Sequence, residues 1–299
     1  MRNIYEKKRL KVIWIMMAVI ALMFIAVGYV FGQSRCTVTQ YGDISGNQGQ
    51  FYVIRNPQGL ILVDGGWAAN EEQVRSVLKK NGNHVSAWIL THPHPDHMGA
   101  FNEIWQNPDG IEIDEVYTIN LDYELYKKYA REWDEFDIFD TFVNITAGDE
   151  RIHYLYAGDE LELIGLQMKV LHAYDDEVPK LSKDLANDGS MMFRLTNEKE
   201  SFLFCADVGK KMSKRIRKMY GEFLKCDYIQ MGHHGNGGLS AKFYRQTQPK
   251  AAFFDAPPWL MHPQDESLGY TTPENADLME SMGAKIYDYQ TAPNEIVLK

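Results

Sequence analysis

Residues 91–99 read Thr91-His92-Pro93-His94-Pro95-Asp96-His97-Met98-Gly99. Three imidazoles and a carboxylate fall within six positions, directly after the apolar run Ala87–Leu90. That is a poor composition for a hydrophobic core. Buried polar groups need partners, and so many in one loop need a shared one. A divalent cation is such a partner, and histidine nitrogen with aspartate oxygen suits zinc, and also manganese or iron. Pro93 and Pro95 stiffen the loop and remove two backbone donors. His92 and His94, two apart in an extended stretch, point the same way, whereas Asp96 and His97 come after a turn and can face a second ion.

Working outward, the other chemically suggestive residues also sit at the ends of short apolar runs. Phe51–Arg55 and Leu60–Val63 flank Asn56-Pro57-Gln58-Gly59, a hairpin signal, and the second run ends in Asp64-Gly65-Gly66. Phe202–Ala206 ends on Asp207, and Tyr228–Met231 leads into Gly232-His233-His234-Gly235. Six of the nine histidines (92, 94, 97, 172, 233 and 234) lie at or near such ends. Between the runs stand helical stretches such as Asn70–Lys80, with an Asn cap, a basic last turn and Asn81-Gly82 as the stop. Interleaved β and α segments in both halves predict a layered α/β architecture with internal sheets.

The H-x-H-x-D-H run resembles the signature of the metallo-β-lactamase superfamily, and the resemblance extends from about Cys36 to Lys299. It implies an α/β, four-layer αββα fold holding two divalent metal ions, with Zn2+ first and Mn2+ or Fe2+ as alternatives. It implies His92, His94, Asp96, His97, Asp207 and His234 as the metal ligands, with Asp207 bridging the ions and Asp64 supporting a ligand histidine from behind. Two such ions share a hydroxide that attacks phosphorus or a carbonyl carbon. Of the adjacent pair, His234 is assigned to metal 2 with Asp96 and His97. His233 becomes a catalytic donor beside Asp207, and the reverse assignment stays open.

His233-His234-Gly235, the turn Asn187-Asp188-Gly189-Ser190 and the C-terminal strand–helix–strand resemble the ComEC-like branch, the hydrolase domain of DNA-uptake competence proteins. Phosphorylcholine esterases of Gram-positive cell surfaces look similar too. Two departures stand out. Asn187 occupies the place of a third histidine for metal 1, leaving Asn187 itself, His172 or water to complete that site. Tyr270-Thr271-Thr272-Pro273 stands where competence hydrolases carry a histidine–proline pair.

The chain has 299 residues and a net charge of −10. Residues 1–35 hold Arg2, Lys7, Lys8, Arg9, Lys11 and Arg35 against Glu6, so the remainder carries 25 basic and 40 acidic residues, a net of −15. So acidic a body is a poor electrostatic match for a nucleic-acid backbone. The basic start precedes an uncharged stretch of 23 residues, Val12–Ser34, long enough to span a bilayer as a helix and without an A-x-A-like cleavage site. The flanking charge places the N-terminus in the cytoplasm and the body outside the cell membrane, a cleaved export signal being the alternative. The expected organisation is a basic cytoplasmic tail (1–11), a single-pass transmembrane signal anchor (12–34), a linker with the first strand (35–50) and the hydrolase domain (51–299). The three cysteines (Cys36, Cys205 and Cys226) form no disulfide framework.

Tyr126, Tyr129, Trp133 and Phe136 recur at helical spacing among seven acidic residues between Asp122 and Asp140. They read either as a helix packed on the sheet or as a substrate lid (Tyr126, Tyr129, Trp133) whose rings would attract a cationic head group such as choline. The expected activity is hydrolysis of a small-molecule or cell-envelope phosphate ester, as a phosphodiesterase or phosphorylcholine esterase. Its rivals are a nuclease, using the basic run Lys210–Lys218, and a surface binding module without catalysis that keeps the fold.

Overall fold

The computed structural model describes residues 35–299, together with the single positions Trp14 and Met17. The expected tail and transmembrane span therefore lie outside the described residues. Among the described residues, no helix is long and apolar enough to cross a membrane.

Two seven-stranded sheets make up the body. In spatial order the first runs Asn294–Leu298, Cys36–Tyr41, Phe51–Asn56, Gly59–Val63, Ala87–Ile89, Val116–Ile119 and Ile152–Leu155. The second runs Lys285–Tyr287, Ala251–Phe253, Tyr228–Gln230, Ser201–Phe204, Met192–Thr196, Leu166–His172 and Glu160–Leu163. Each sheet mixes antiparallel hairpins with parallel strands. Ile61 pairs with Ala87 and Val63 with Ile89 in the first sheet, Phe202 with Tyr228 and Phe204 with Gln230 in the second, all in parallel register.

These strands are covered on both faces, which is why Leu60-Ile61-Leu62-Val63 is an unbroken apolar run with every side chain buried. The inner faces meet at Tyr52, whose ring stands edge-on to Phe202 and Phe204 at 6.0 and 5.3 Å. On the other side of the first sheet, Trp88 packs edge-on against Phe101 of the helix Pro95–Gln106 at 5.0 Å, and Phe101 meets Phe142 at 5.8 Å. Helix Ser213–Tyr220 lies against the second sheet. All three cysteines are buried and unpaired.

The aromatic stripe is not one helix. It breaks into the helix Tyr123–Tyr129, a single turn at Glu132–Asp134 and the helix Asp137–Ile145, with Glu135 at φ +42° between them. No proline or glycine causes the break. At the break Asp134 accepts from Arg131 N at 2.7 Å, capping the short turn, and makes a tertiary contact described below.

Candidate metal centre

The parallel strands converge on one crevice, and each chemically suggestive residue follows a strand's C-terminal end, where open α/β sheets place ligands. Asp64 follows Gly59–Val63, and its backbone amide donates to Ile89 O at 2.8 Å. Its side chain is fully buried and accepts from Thr91 N at 2.7 Å, Thr91 Oγ1 at 2.8 Å, Gln50 Nε2 at 2.9 Å and His97 Nδ1 at 2.8 Å. Since a carboxylate only accepts, Nδ1 of His97 carries a proton, and Nε2 is the nitrogen left to face an ion. The same logic fixes His92. Thr91 Oγ1 donates to Asp64 and so accepts from His92 Nδ1 at 3.1 Å, leaving His92 Nε2 bare.

Helix Pro95–Gln106 starts immediately after His94, its N-cap, with Pro95 at the first position. It holds Asp96 and His97 rigidly in its first turn. Gly99 lets this turn approach the segment after Asp64, because a Cβ there would lie 2.4 Å from Ala68 N. In the second sheet, Gln230 Oε1 accepts from Cys205 N at 2.9 Å and Ala206 N at 2.8 Å, catching the backbone where Ala206 turns at φ +46° and aims Asp207 at the crevice. His233 and His234 both have positive φ, at 53° and 56°, which sends their side chains in different directions. His234 is buried, and His233 is partly exposed at the mouth.

Among the described residues, the buried atoms of the crevice without a hydrogen-bond partner include Nε2 of His92, His94, His97 and His234, His234 Nδ1, Asp96 Oδ2 and Asp207 Oδ1. Each such atom costs about 1–3 kcal/mol if left unsatisfied. They lie at the spacing a tetrahedral ion needs, since metal–ligand bonds of about 2.0–2.2 Å separate ligand atoms by roughly 3.3–3.6 Å. His234 Nε2 is 3.1 Å from Asp96 Oδ2 and 3.3 Å from Asp207 Oδ2, His97 Nε2 is 3.5 Å from Asp207 Oδ1, and His92 Nε2 is 4.0 Å from Asp207 Oδ2. Two groups of ligand atoms form this way, one of Asp96, His97 and His234 and one of His92, His97 and Asp207.

The electrostatics agree with a site built for positive charge. Burial opposes charging His97 and His234, but the Asp207 and Asp96 carboxylates outweigh it, raising His97 well above the usual imidazole range and His234 to about 10. Burial likewise opposes ionisation of Asp96, and His97 and His234 bring it down to about 2. His92, with burial and His97 both against its charge, is pushed well below the usual range and stays neutral.

His94 is not in either group. Its Nε2 faces away, 3.3 Å from Asp134 Oδ1. His172 does not reach the centre with its Nε2, which donates to the Asp188 carbonyl at 2.7 Å. Burial first, against that hydrogen bond, brings its pKa down to about 4, so it is a neutral packed histidine rather than a replacement ligand. Asn187 is buried at the edge of the site, with Oδ1 unpartnered and Nδ2 3.4 Å from Asp184 Oδ2. The lid reading of the aromatic segment needs correction. Tyr126 is 1% exposed and packs against Phe136 and Phe139 in the core. Tyr129 carries Lys183 over its ring at 4.3 Å, and Trp133, 67% exposed, carries Arg131 at 4.8 Å. The chain's own cations already take the faces expected to receive choline.

A cavity of about 450 Å³ opens beside Asp207 and His233, lined by Arg131, Lys180, Lys183, Lys210 and Lys211, with Asn187, Asp184 and Asp188 among the other walls. Lys210 and Lys211 precede the helix Ser213–Tyr220, while Arg215 is held by Asp175 at 2.9 Å and Arg217 by Gln246 at 3.1 Å. Lys214 and Lys218 are exposed and do not line the cavity, so of the basic run only Lys210 and Lys211 face it.

Four residues here escaped the sequence reading: Gln50, Gln230, Asp255 and Asp134. Asp255 is fully buried and accepts from Gln40 Nε2 at 2.7 Å, Tyr52 OH at 2.8 Å and Gln230 Nε2 at 2.9 Å. Gln230 Nε2 also donates to Gln50 Oε1 at 2.7 Å, so a line of hydrogen bonds joins the two sheets under the centre and ends on Asp64.

A sheet pair with its strand ends converging on histidines and aspartates defines a metal-dependent α/β hydrolase. A model of the metallo-β-lactamase superfamily matches residues 44–216, and the chain belongs to that superfamily. Among solved structures, the metallo-β-lactamase-fold protein YhfI from Bacillus subtilis matches with a TM-score of 0.55 and 12% identity, over 89% of this chain and 100% of that one. Igni18, a metallo hydrolase from the hyperthermophilic archaeon Ignicoccus hospitalis, matches at 0.52 and 14% over 89% and 99%. A diphosphatase from the PhnP family matches at 0.50 and 14% over 88% and 97%. At these identities the likeness is one of fold. No curated protein matches the sequence.

Proposed function

We propose that this chain is a two-metal hydrolase of phosphate esters, acting outside the cytoplasm and tethered by its N-terminal apolar stretch. The cavity carries the reading. In a body whose net charge is −15 outside residues 1–35, Lys180, Lys183, Lys210, Lys211 and Arg131 gather around the space beside Asp207 and His233. That concentration suits a substrate with negative charge next to the reacting atom, as a phosphate ester has and a neutral amide or ester lacks. The His233-His234-Gly235 run, resembling that of the ComEC-like branch, supports the same chemistry.

His92, His97, Asp96, Asp207 and His234 would hold the ions, His94 presenting its free side to the first of them. When bound, divalent ions here supply Lewis-acid polarisation of the phosphoryl group and a water acidic enough to attack at neutral pH. The chain's residues do the rest. Asp64, through Thr91 and directly, keeps the proton on the Nδ1 atoms of His92 and His97 so that both Nε2 lone pairs face inward. Lys210 and Lys211 draw the anion to the mouth. His233 Nε2, 3.8 Å from Asp207 Oδ2 and open to the cavity, is placed to give a proton to the leaving oxygen. With the aromatic faces taken, a choline group is no longer favoured over other alcohols.

The test uses the full chain in detergent, loaded with zinc or manganese, with Asp207→Ala as the blank. Turnover of a nitrophenyl phosphodiester or phosphomonoester above nitrophenyl acetate is expected. Preferred hydrolysis of the acetate, or two bound ions without any phosphate cleavage, would overturn the assignment. Preference for single-stranded DNA would move it to a nuclease. For the tether, added protease should remove the body from intact cells, and protection until lysis would rule it out.

A further inference from the structure

The metal-1 side of the centre is short of ligands at two positions, with Asn187 where other superfamily members have a histidine and His94 turned towards Asp134. His94 is 7% exposed, and its buried Nε2 makes no hydrogen bond of good geometry but lies 3.3 Å from Asp134 Oδ1, the carboxylate oxygen within ion-pair distance of it, while its Nδ1 takes no hydrogen bond among the described residues. Asp134 is 2% exposed. It is fixed by Arg131, whose backbone N donates at 2.7 Å and whose Nε and Nη2 approach at 3.3 Å. Arg131 Nη2 also reaches Asp184 Oδ2 at 2.9 Å, and the same Oδ2 accepts from Asn187 Nδ2. One continuous set of contacts therefore runs from His94 through Asp134, Arg131 and Asp184 to Asn187.

We propose that Asp134 is a positioning residue for metal 1: it takes the Nε2 proton of His94 as a hydrogen bond and thereby turns His94 Nδ1 towards the ion. A histidine ligand whose far nitrogen donates to a carboxylate is held in one tautomer and one ring orientation, and its basicity rises. The arrangement is the mirror of Asp64 and His97, where the carboxylate holds Nδ1 and leaves Nε2 free. The break in the aromatic helix then has a purpose. A continuous helix through 123–145 would keep Asp134 on its own axis, whereas the turn at Glu132–Asp134 brings the carboxylate to the back of His94. Through Arg131 and Asp184 the same segment holds the Asn187 amide in place, so the side of the centre with the weaker ligand set depends on this excursion.

The inference rests on the two-metal reading of the centre, and stepwise zinc titration separates the two. The metal-free full chain in detergent would be titrated with Zn2+ against a chromophoric chelator, as wild type, Asp134→Asn and Asp134→Ala. The expected result is two sites in the wild type. Asp134→Ala weakens one of them about 10–100-fold while leaving the other, and the metal-free melting temperature, near the wild-type values. Asp134→Asn, which keeps an acceptor for His94, recovers most of the loss. Unchanged affinity at both sites in both variants overturns the inference, as does an equal loss at both sites with a lower metal-free melting temperature. A wild-type chain that takes up no zinc overturns the metal centre itself.

Discussion

The centre holds two carboxylate–histidine pairs of opposite construction. Asp64 and His97 sit at the ends of neighbouring parallel strands and in the first turn of a helix seated on them, so their 2.8 Å contact follows from sheet register. Asp134 reaches His94 from an excursion that belongs to neither sheet, and it is kept there by the backbone and side chain of Arg131 and by Tyr126 OH at its carbonyl. Groups carried by strand ends share the stability of the core. Groups carried by an excursion can be exchanged at small cost to the fold. In this molecule the parts most open to change therefore lie on the metal-1 side.

The largest effect separating the two is expected from Asp64→Ala. It leaves the donors of Thr91, Gln50 and His97 buried without an acceptor, and removing one partner of such a buried set costs about 3–5 kcal/mol. Chemical denaturation of the metal-free chain should show that loss, against less than about 1 kcal/mol for Asp134→Ala, whose partner Arg131 is partly exposed. Comparable losses would erase the distinction.

Asp255→Asn is expected to come next, because the new amide would set a donor against Gln230 Nε2, for about 1–3 kcal/mol at neutral pH. Its pH dependence has a definite sign. Burial lifts Asp255 to about 6, above its unfolded value, against the pull of hydrogen bonds from Gln40, Tyr52 and Gln230 and of the charge on His234. Between about pH 4 and 6 the folded chain therefore keeps a proton that the unfolded chain has released, and this group's contribution falls as pH rises through that window. The Asn variant should lack that slope in denaturation midpoints measured from pH 4 to 7, and an unchanged slope would assign the titration elsewhere.

Smaller still is the effect of the cavity cations. Replacing Lys210 and Lys211 by alanine should raise KM for a phosphate ester about two- to tenfold with kcat nearly constant, and flatten its dependence on salt. A fall in kcat alone would place these lysines in the chemistry rather than in substrate capture. Trp133→Ala should leave both stability and KM for nitrophenyl phosphorylcholine within twofold, since its exposed ring already carries Arg131. A large rise in KM would restore the lid.

The same contrast explains what the sequence revealed. His92, Asp96, His97, Asp207 and His234 were visible because each follows an apolar run, and strand ends bring such residues together whatever the loops do. Asp64 was visible for the same reason. Gln50, Gln230 and Asp255 gave no signal, since a lone amide or carboxylate beside a strand looks like any surface residue until the facing sheet buries it. Asp134 was hidden by a misleading signal. The spacing of Tyr126, Tyr129, Trp133 and Phe136 suggests one helix, but Asp134 caps a separate turn through Arg131 N and faces His94 instead.

The line of hydrogen bonds under the centre does not stop at Asp255. Gln40, which donates to Asp255, accepts from Asn294 Nδ2 at 2.7 Å, a contact between residues 254 apart in the chain. His97 is thus braced, through Asp64, Gln50, Gln230, Asp255 and Gln40, by the strand Asn294–Leu298. Closing so long a loop comes late in folding. As the protein is synthesised, the histidines emerge early but remain unbraced until that strand docks. Firm retention of metal then requires the docked strand, and fragments that carry the whole histidine cluster but lack it should lose their ions to competing chelators.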